Sequence, residues 1–203
     1  MAVDARQKIG VADLAVALPK MVTELPSLLK GLAGFTRKPD HKASIGQVFQ
    51  DAAAKNGSHP FVRFEGESTS YADANALVNQ YANVFTERGV QRGDVVGVLS
   101  KNRPEALFAA LAAVKLGAVA GMLNYNQRGD VLEHSLGILD AKVLVLDENA
   151  REALDSLDSE PKVGSVLPMK ELAELASKAD TANPSVTAEI QAKEKAFYIF
   201  TSG

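Results

Sequence analysis

The sequence predicts an α/β fold, a partial doubly wound parallel sheet flanked by helices, with an amphipathic helical segment in front of it. Three observations carry this expectation. Val95-Val96-Gly97-Val98-Leu99, Ala118 to Leu123 and Lys142 to Leu146 are short, nearly unbroken apolar runs, as strands buried on both faces require. The stretches between them, from about Arg103 to Leu116 and from Arg128 to Leu139, carry helical periodicity. Such a βαβαβ alternation forms a parallel sheet with helices laid over it.

The elements follow in chain order. Residues 1–40 form an amphipathic helical segment and linker: Val11, Leu14, Leu18, Val22, Leu25, Leu29 and Leu32 recur every three or four residues beside Lys8, Lys20 and Lys30, and Pro19 and Pro26 break the run into short helices. Residues 41–203 form the second domain. A helix begins behind Ser44 as N-cap, with Ile45, Val48, Phe49 and Ala52 on its apolar face. Phe61 to Glu67 alternates and turns like an exposed hairpin. Ser70 caps a longer helix through Leu77, Tyr81 and Val84, which Gly89 ends. In the helix from Arg103, Asn102 is the candidate cap, Pro104 lies in the first turn and Gly117 stands past the end. Ala150 to Leu157 and Met169 to Ala179 read as helices, Asp180 to Val186 as a loop and Ala196 to Phe200 as a last strand.

Bulk properties exclude several classes of function. The 203 residues carry a net charge of only −3, with no basic stripe for nucleic acid. Cysteine is absent, which removes disulfides, thiolate metal sites and a cysteine nucleophile and fits a cytoplasmic setting. Acidic residues and Pro19 interrupt the N-terminal apolar residues, unlike a signal peptide. No apolar run is long enough to span a bilayer. An interfacial role for residues 9–35, at the inner face of the cell membrane, is compatible with their stripe of Leu and Val beside lysines. Packing of that stripe on the protein's own body is an equal alternative.

Chemistry concentrates at the end. A strand opening into hydroxyl and glycine residues is a sensible phosphate site, because glycine admits close backbone approach and successive N–H and hydroxyl groups donate to the anion. Tyr198-Ile199-Phe200-Thr201-Ser202-Gly203 has that form, without the Lys of a complete phosphate loop; by itself it also fits a plain turn. Elsewhere ordinary roles suffice. Glu105 and Lys115 complement the dipole of their helix, and Asp94 turns the backbone into a strand. His41, His59 and His134 are scattered without a partner at ligand spacing. Asn124, at the carboxyl end of a parallel strand, lies on the side where such sheets bind ligands.

The order of Ser70-Tyr71, Gly89-Val90-Gln91-Arg92-Gly93-Asp94, Asn102-Arg103-Pro104-Glu105, Lys115-Leu116-Gly117-Ala118-Val119, Asn124-Tyr125-Asn126 and the final Tyr-Ile-Phe-Thr-Ser-Gly resembles the N-terminal part of the adenylate-forming (AMP-binding) superfamily over roughly residues 45–203. Leu123 to Arg128 and Leu132-Glu133-His134 are most similar to bacterial long-chain and very-long-chain fatty-acyl-CoA synthetases of the fatty-acid transport protein branch. The resemblance implies the N-terminal subdomain of the acyl-CoA synthetase and luciferase-like fold, and a ligase that uses ATP, Mg²⁺ and CoA on a fatty acid through an acyl-adenylate. It assigns ATP phosphates to Thr201, Ser202 and Gly203, makes Asn124 a substrate-side candidate, and gives this stretch no catalytic residue and no metal ligand. It further implies a chain ending within the phosphate loop: inactive alone, binding none of these ligands tightly, and prone to self-association through an uncovered sheet. Another adenylate-forming ligase, aryl-CoA or luciferase-like, and a non-catalytic uptake or interaction fragment are the alternatives.

Overall fold

The computed structural model describes residues 38–200. From Asp40 onward they belong to one compact unit, distinct from Met1–Pro39. The amphipathic segment expected over 9–35 and the Thr201-Ser202-Gly203 loop lie outside the described residues. Among the described residues no helix is long and apolar enough to cross a membrane.

Helix α1 spans Ile45–Asn56, and Ser44 Oγ accepts the Gln47 N–H at 3.1 Å as its cap. Its inward face differs from the expected one: Gly46, Phe49 and Ala53 are buried, while Ile45 and Val48 are 47% and 55% exposed. Gly46 sets that rotation. A methyl group there would stand 2.9 Å from Lys115 Cα, so the helix docks by its glycine, where no side chain holds the backbones apart. Strands β1 (Pro60–Phe64) and β2 (Glu67–Ser70) form an antiparallel hairpin. Glu65 and Gly66 at its tip have φ of 49° and 88°, as a primed two-residue turn requires. Helix α2 (Tyr71–Glu87) starts at Ser70, whose Oγ accepts the Asp73 N–H at 3.1 Å.

The main sheet contains β3 (Val95–Leu99), β4 (Val119–Leu123), β5 (Val143–Leu146), β6 (Val166–Pro168) and β7 (Phe197–Ile199). Their order is β6-β5-β3-β4-β7, and all neighbours are parallel. Strand β6 escapes a reading of apolar runs because it has three residues and ends on Pro168. Helix α3 (Pro104–Lys115) leads from β3 to β4, and α4 (Gly129–Leu139) leads back to β5. The cap of α3 is Arg103, without a side-chain hydrogen bond, rather than Asn102; Pro104 at the first position has no N–H to satisfy. A 3₁₀ turn and the short α5 (Arg151–Asp155) connect β5 to β6, and α6 (Met169–Ala176) follows.

Two cores result. Helices α1, α2, α3 and α6 bury Phe49, Val78, Phe85, Phe108 and Leu172 against Val96, Val98 and Val145 on one face. On the other face α4 and α5 bury Leu132, Leu136, Leu139 and Leu154 against Leu99, Leu123, Leu144 and Leu146. Leu139 sits in a saddle made by the cross-strand pair Gly97 and Gly121.

Lys115 departs from the expected dipole-facing role. It is fully buried, and its Nζ donates to the Oδ1 atoms of Asn79 (2.5 Å), Asn183 (2.7 Å) and Asn75 (2.9 Å). Three donors meet three acceptors, as an ammonium group allows. Burial pushes its pKa down to about 8. The same α2 face grips the loop after α6: Asn79, Gln80 and Asn83 donate to the carbonyls of Thr181, Ala179 and Asp180. Thr187 Oγ1 completes the attachment by donating to the Lys115 carbonyl at 2.7 Å.

Candidate functional site

Parallel pairing places the carboxyl ends of β3, β4, β5 and β7 on one edge of the sheet. The chain leaves β3 toward α3 on one face and leaves β5 toward α5 on the other. Adjacent strands whose exits diverge create a crevice, and open α/β sheets bind ligands there.

The two loops at this switch point are joined by Asp147. It is fully buried at the end of β5, and its carboxylate accepts from the Asn149 N–H (3.0 Å), Ser100 Oγ (3.1 Å), Arg103 Nη1 (3.2 Å) and the Lys101 N–H (3.3 Å). Arg103 also donates from Nε to Glu105 Oε2 at 2.8 Å. Burial alone would raise both carboxyls. For Asp147 the hydrogen bonds from Asn149 and Ser100 and the Arg103 charge outweigh it; for Glu105 the Arg103 contact does, so both lie below their ordinary values. Both remain anionic, and the Arg103 charge is spent on them.

A cavity of about 650 Å³ opens here between the hairpin and the start of α3, with Val62, Leu77 and Phe108 among its lining residues. Sequence reasoning missed this site. Its only trace was an acidic residue closing an apolar run, Val-Leu-Val-Leu-Asp, and its partners Ser100, Lys101 and Arg103 stand more than 40 residues away.

Asn124 lies on the expected edge, just past β4, and is exposed. Its Oδ1 accepts the Asn126 N–H at 3.0 Å and its carbonyl accepts the Gln127 N–H, so it shapes the turn into α4. Asp94 does the same before β3, accepting the Gln91 N–H at 2.8 Å. The described residues include no group of three or more His, Cys, Asp or Glu able to hold a metal.

A doubly wound parallel sheet with its crevice at the carboxyl edge defines a ligand-binding α/β domain of the nucleotide-binding kind. Residues 49–203 match the family model of the AMP-binding enzymes, and the chain belongs to that family. It is 45% identical over 202 residues to the medium/long-chain-fatty-acid–CoA ligase FadD6 of Mycobacterium tuberculosis, an alignment covering 98% of this chain and 34% of the relative. It is 32% identical over 115 residues to long-chain fatty acid transport protein 2 of Rattus norvegicus, covering 56% of this chain and 18% of that protein. The chain therefore spans about a third or less of the length of these relatives. The crystal structure of the N-terminal domain of FACL13 from Mycobacterium tuberculosis superposes with a TM-score of 0.71 at 26% identity, covering 79% of this chain and 42% of that one. A Mycobacterium tuberculosis fatty acyl CoA synthetase superposes equally well, at 25% identity over 81% of this chain and 34% of that one.

Proposed function

We propose that the chain serves as the N-terminal part of a long-chain fatty-acid–CoA ligase. The observation that carries this reading is 45% identity to the mycobacterial ligase across 98% of the chain. In the reaction a fatty-acid carboxylate oxygen attacks the α-phosphorus of ATP and the bond to the β-phosphate oxygen breaks, giving acyl-adenylate and pyrophosphate. The CoA sulfur, after losing its proton, then attacks the acyl carbon and AMP leaves. Charge neutralisation and positioning dominate such phosphoryl chemistry, and no protein nucleophile is required. Thr201, Ser202 and Gly203 donate to the ATP phosphates, and Asn124, at the carboxyl end of β4, faces the substrate side.

The test is product analysis with oleate, ATP and CoA. The native polypeptide carrying these residues should yield oleoyl-CoA, AMP and pyrophosphate, and the 203-residue chain alone should form no oleoyl-AMP. Faster turnover of benzoate than of oleate would replace this reading with an aryl-CoA ligase.

A further inference from the structure

The cavity at the β3–β5 switch point has the size of a small-molecule site. Its lining combines an apolar floor with five carboxylates, Glu65, Glu67, Asp73, Glu105 and Asp147, against two bases, Lys101 and Arg103. Arg103 is committed to Glu105 and Asp147, whereas no ion pair of the described residues engages Glu65 or Glu67 at the hairpin tip. A concave site lined by one sign of charge concentrates the opposite sign and repels its own. ATP, CoA and a fatty-acid carboxylate are all anions, so on the ligase reading none of the substrates suits this cavity. A bare metal ion does not suit it either, since the carboxylates do not gather into a metal-binding group and the floor of Val62, Leu77 and Phe108 offers it nothing.

We propose that this cavity binds an organic cation with an apolar body, an amine or guanidine on an alkyl or aryl group, its charge facing Glu65 and Glu67 and its body lying on Val62 and Phe108. The cavity lies at β3 and β5, and its charge repels the ligase's anionic substrates, so its occupant is a modulator rather than a substrate. Only the exclusion of the substrates depends on the ligase reading; the cavity's charge and floor do not.

The experiment is a heteronuclear NMR titration of the 203-residue chain with 2-phenylethylammonium and, separately, with phenylacetate, its near-isosteric anion. The cation should give saturable shifts at the amides of Val62, Leu77, Asn102 and Phe108, with a Kd of about 1 mM. Phenylacetate should leave them in place. The exposed-tip double variant Glu65→Gln/Glu67→Gln should weaken cation binding about three- to tenfold, the range for partly solvated charges, with its other resonances unmoved. Equal shifts with phenylacetate, shifts confined to residues outside the cavity, no saturation by about 10 mM, or an unchanged Kd in the double variant would overturn the proposal. Each of these outcomes is independent of oleoyl-CoA formation.

Discussion

Asp147 and Lys115 are both completely buried among the described residues although each carries a full charge, and they are held by opposite means. Asp147 meets a counter-charge, Arg103, together with backbone and hydroxyl donors. Lys115 meets only the neutral amide oxygens of Asn75, Asn79 and Asn183. The folded state therefore favours the charged form of Asp147 and penalises the charged form of Lys115. A full complement of hydrogen bonds keeps a buried charge from being orphaned, but only an opposite charge or very strong donors reverse the loss of hydration.

The largest effect expected from breaking this contrast is at Asp147. Asp147→Ala should cost about 3 kcal/mol in urea denaturation, because it leaves two backbone N–H groups and half of the Arg103 fork without acceptors. A loss below about 1 kcal/mol would mean that water replaces the carboxylate.

Lys115→Met should cost less, about 1–2 kcal/mol at neutral pH, since the removed desolvation partly offsets the orphaned oxygen of buried Asn79. Its pH dependence is the sharper measure. Folded Lys115 releases its proton near pH 8, against 10.5 for the ordinary side chain, so between those values the unfolded chain holds more protons and wild-type stability rises with pH. Allowing for the opposing amide oxygens and residual solvent screening, the gain should be on the order of 1–2 kcal/mol, and it should vanish in Lys115→Met. The same slope in both proteins would show that the asparagine cage cancels the burial effect. Asp147 also makes stability rise with pH, but in the acid range: its contribution is present above the unfolded carboxyl value and disappears as pH falls through the lower folded one. The smallest effect is at Thr187. Thr187→Val should lose about 1 kcal/mol, the usual value of a buried hydrogen bond, with raised amide exchange confined to residues after α6. Uniform exchange across the domain would instead tie that loop to global unfolding.

The contrast also separates what the sequence displays from what it hides. Ser44 and Ser70 announce their helices because a cap acts on N–H groups three residues away, and β3, β4 and β5 are visible as apolar runs because both of their faces are covered. The carboxyl edge holding Asn124 follows from that same alternation. The order of strands, the rotation of α1 onto Gly46 and strand β6 depend on partners distant in sequence. Lys115 reads as an ordinary helix-end lysine until Asn183, 68 residues later, comes to meet it. Asp147 likewise becomes a hub only when the β3 loop lies beside the end of β5.

The saddle beneath Leu139 restricts how this domain can change over generations. A methyl group on Gly121 would collide with Leu139, and one on Gly97 would come within 2.9 Å of Leu144 Cδ1 and 3.2 Å of Leu139 Cδ2. Close-packed interiors do not absorb such overlap locally. Positions 97, 121, 139 and 144 should therefore drift as a linked set: a larger residue at 121 becomes acceptable only in a lineage where the leucine on α4 has already shrunk, and one at 97 only where Leu144 has given way as well.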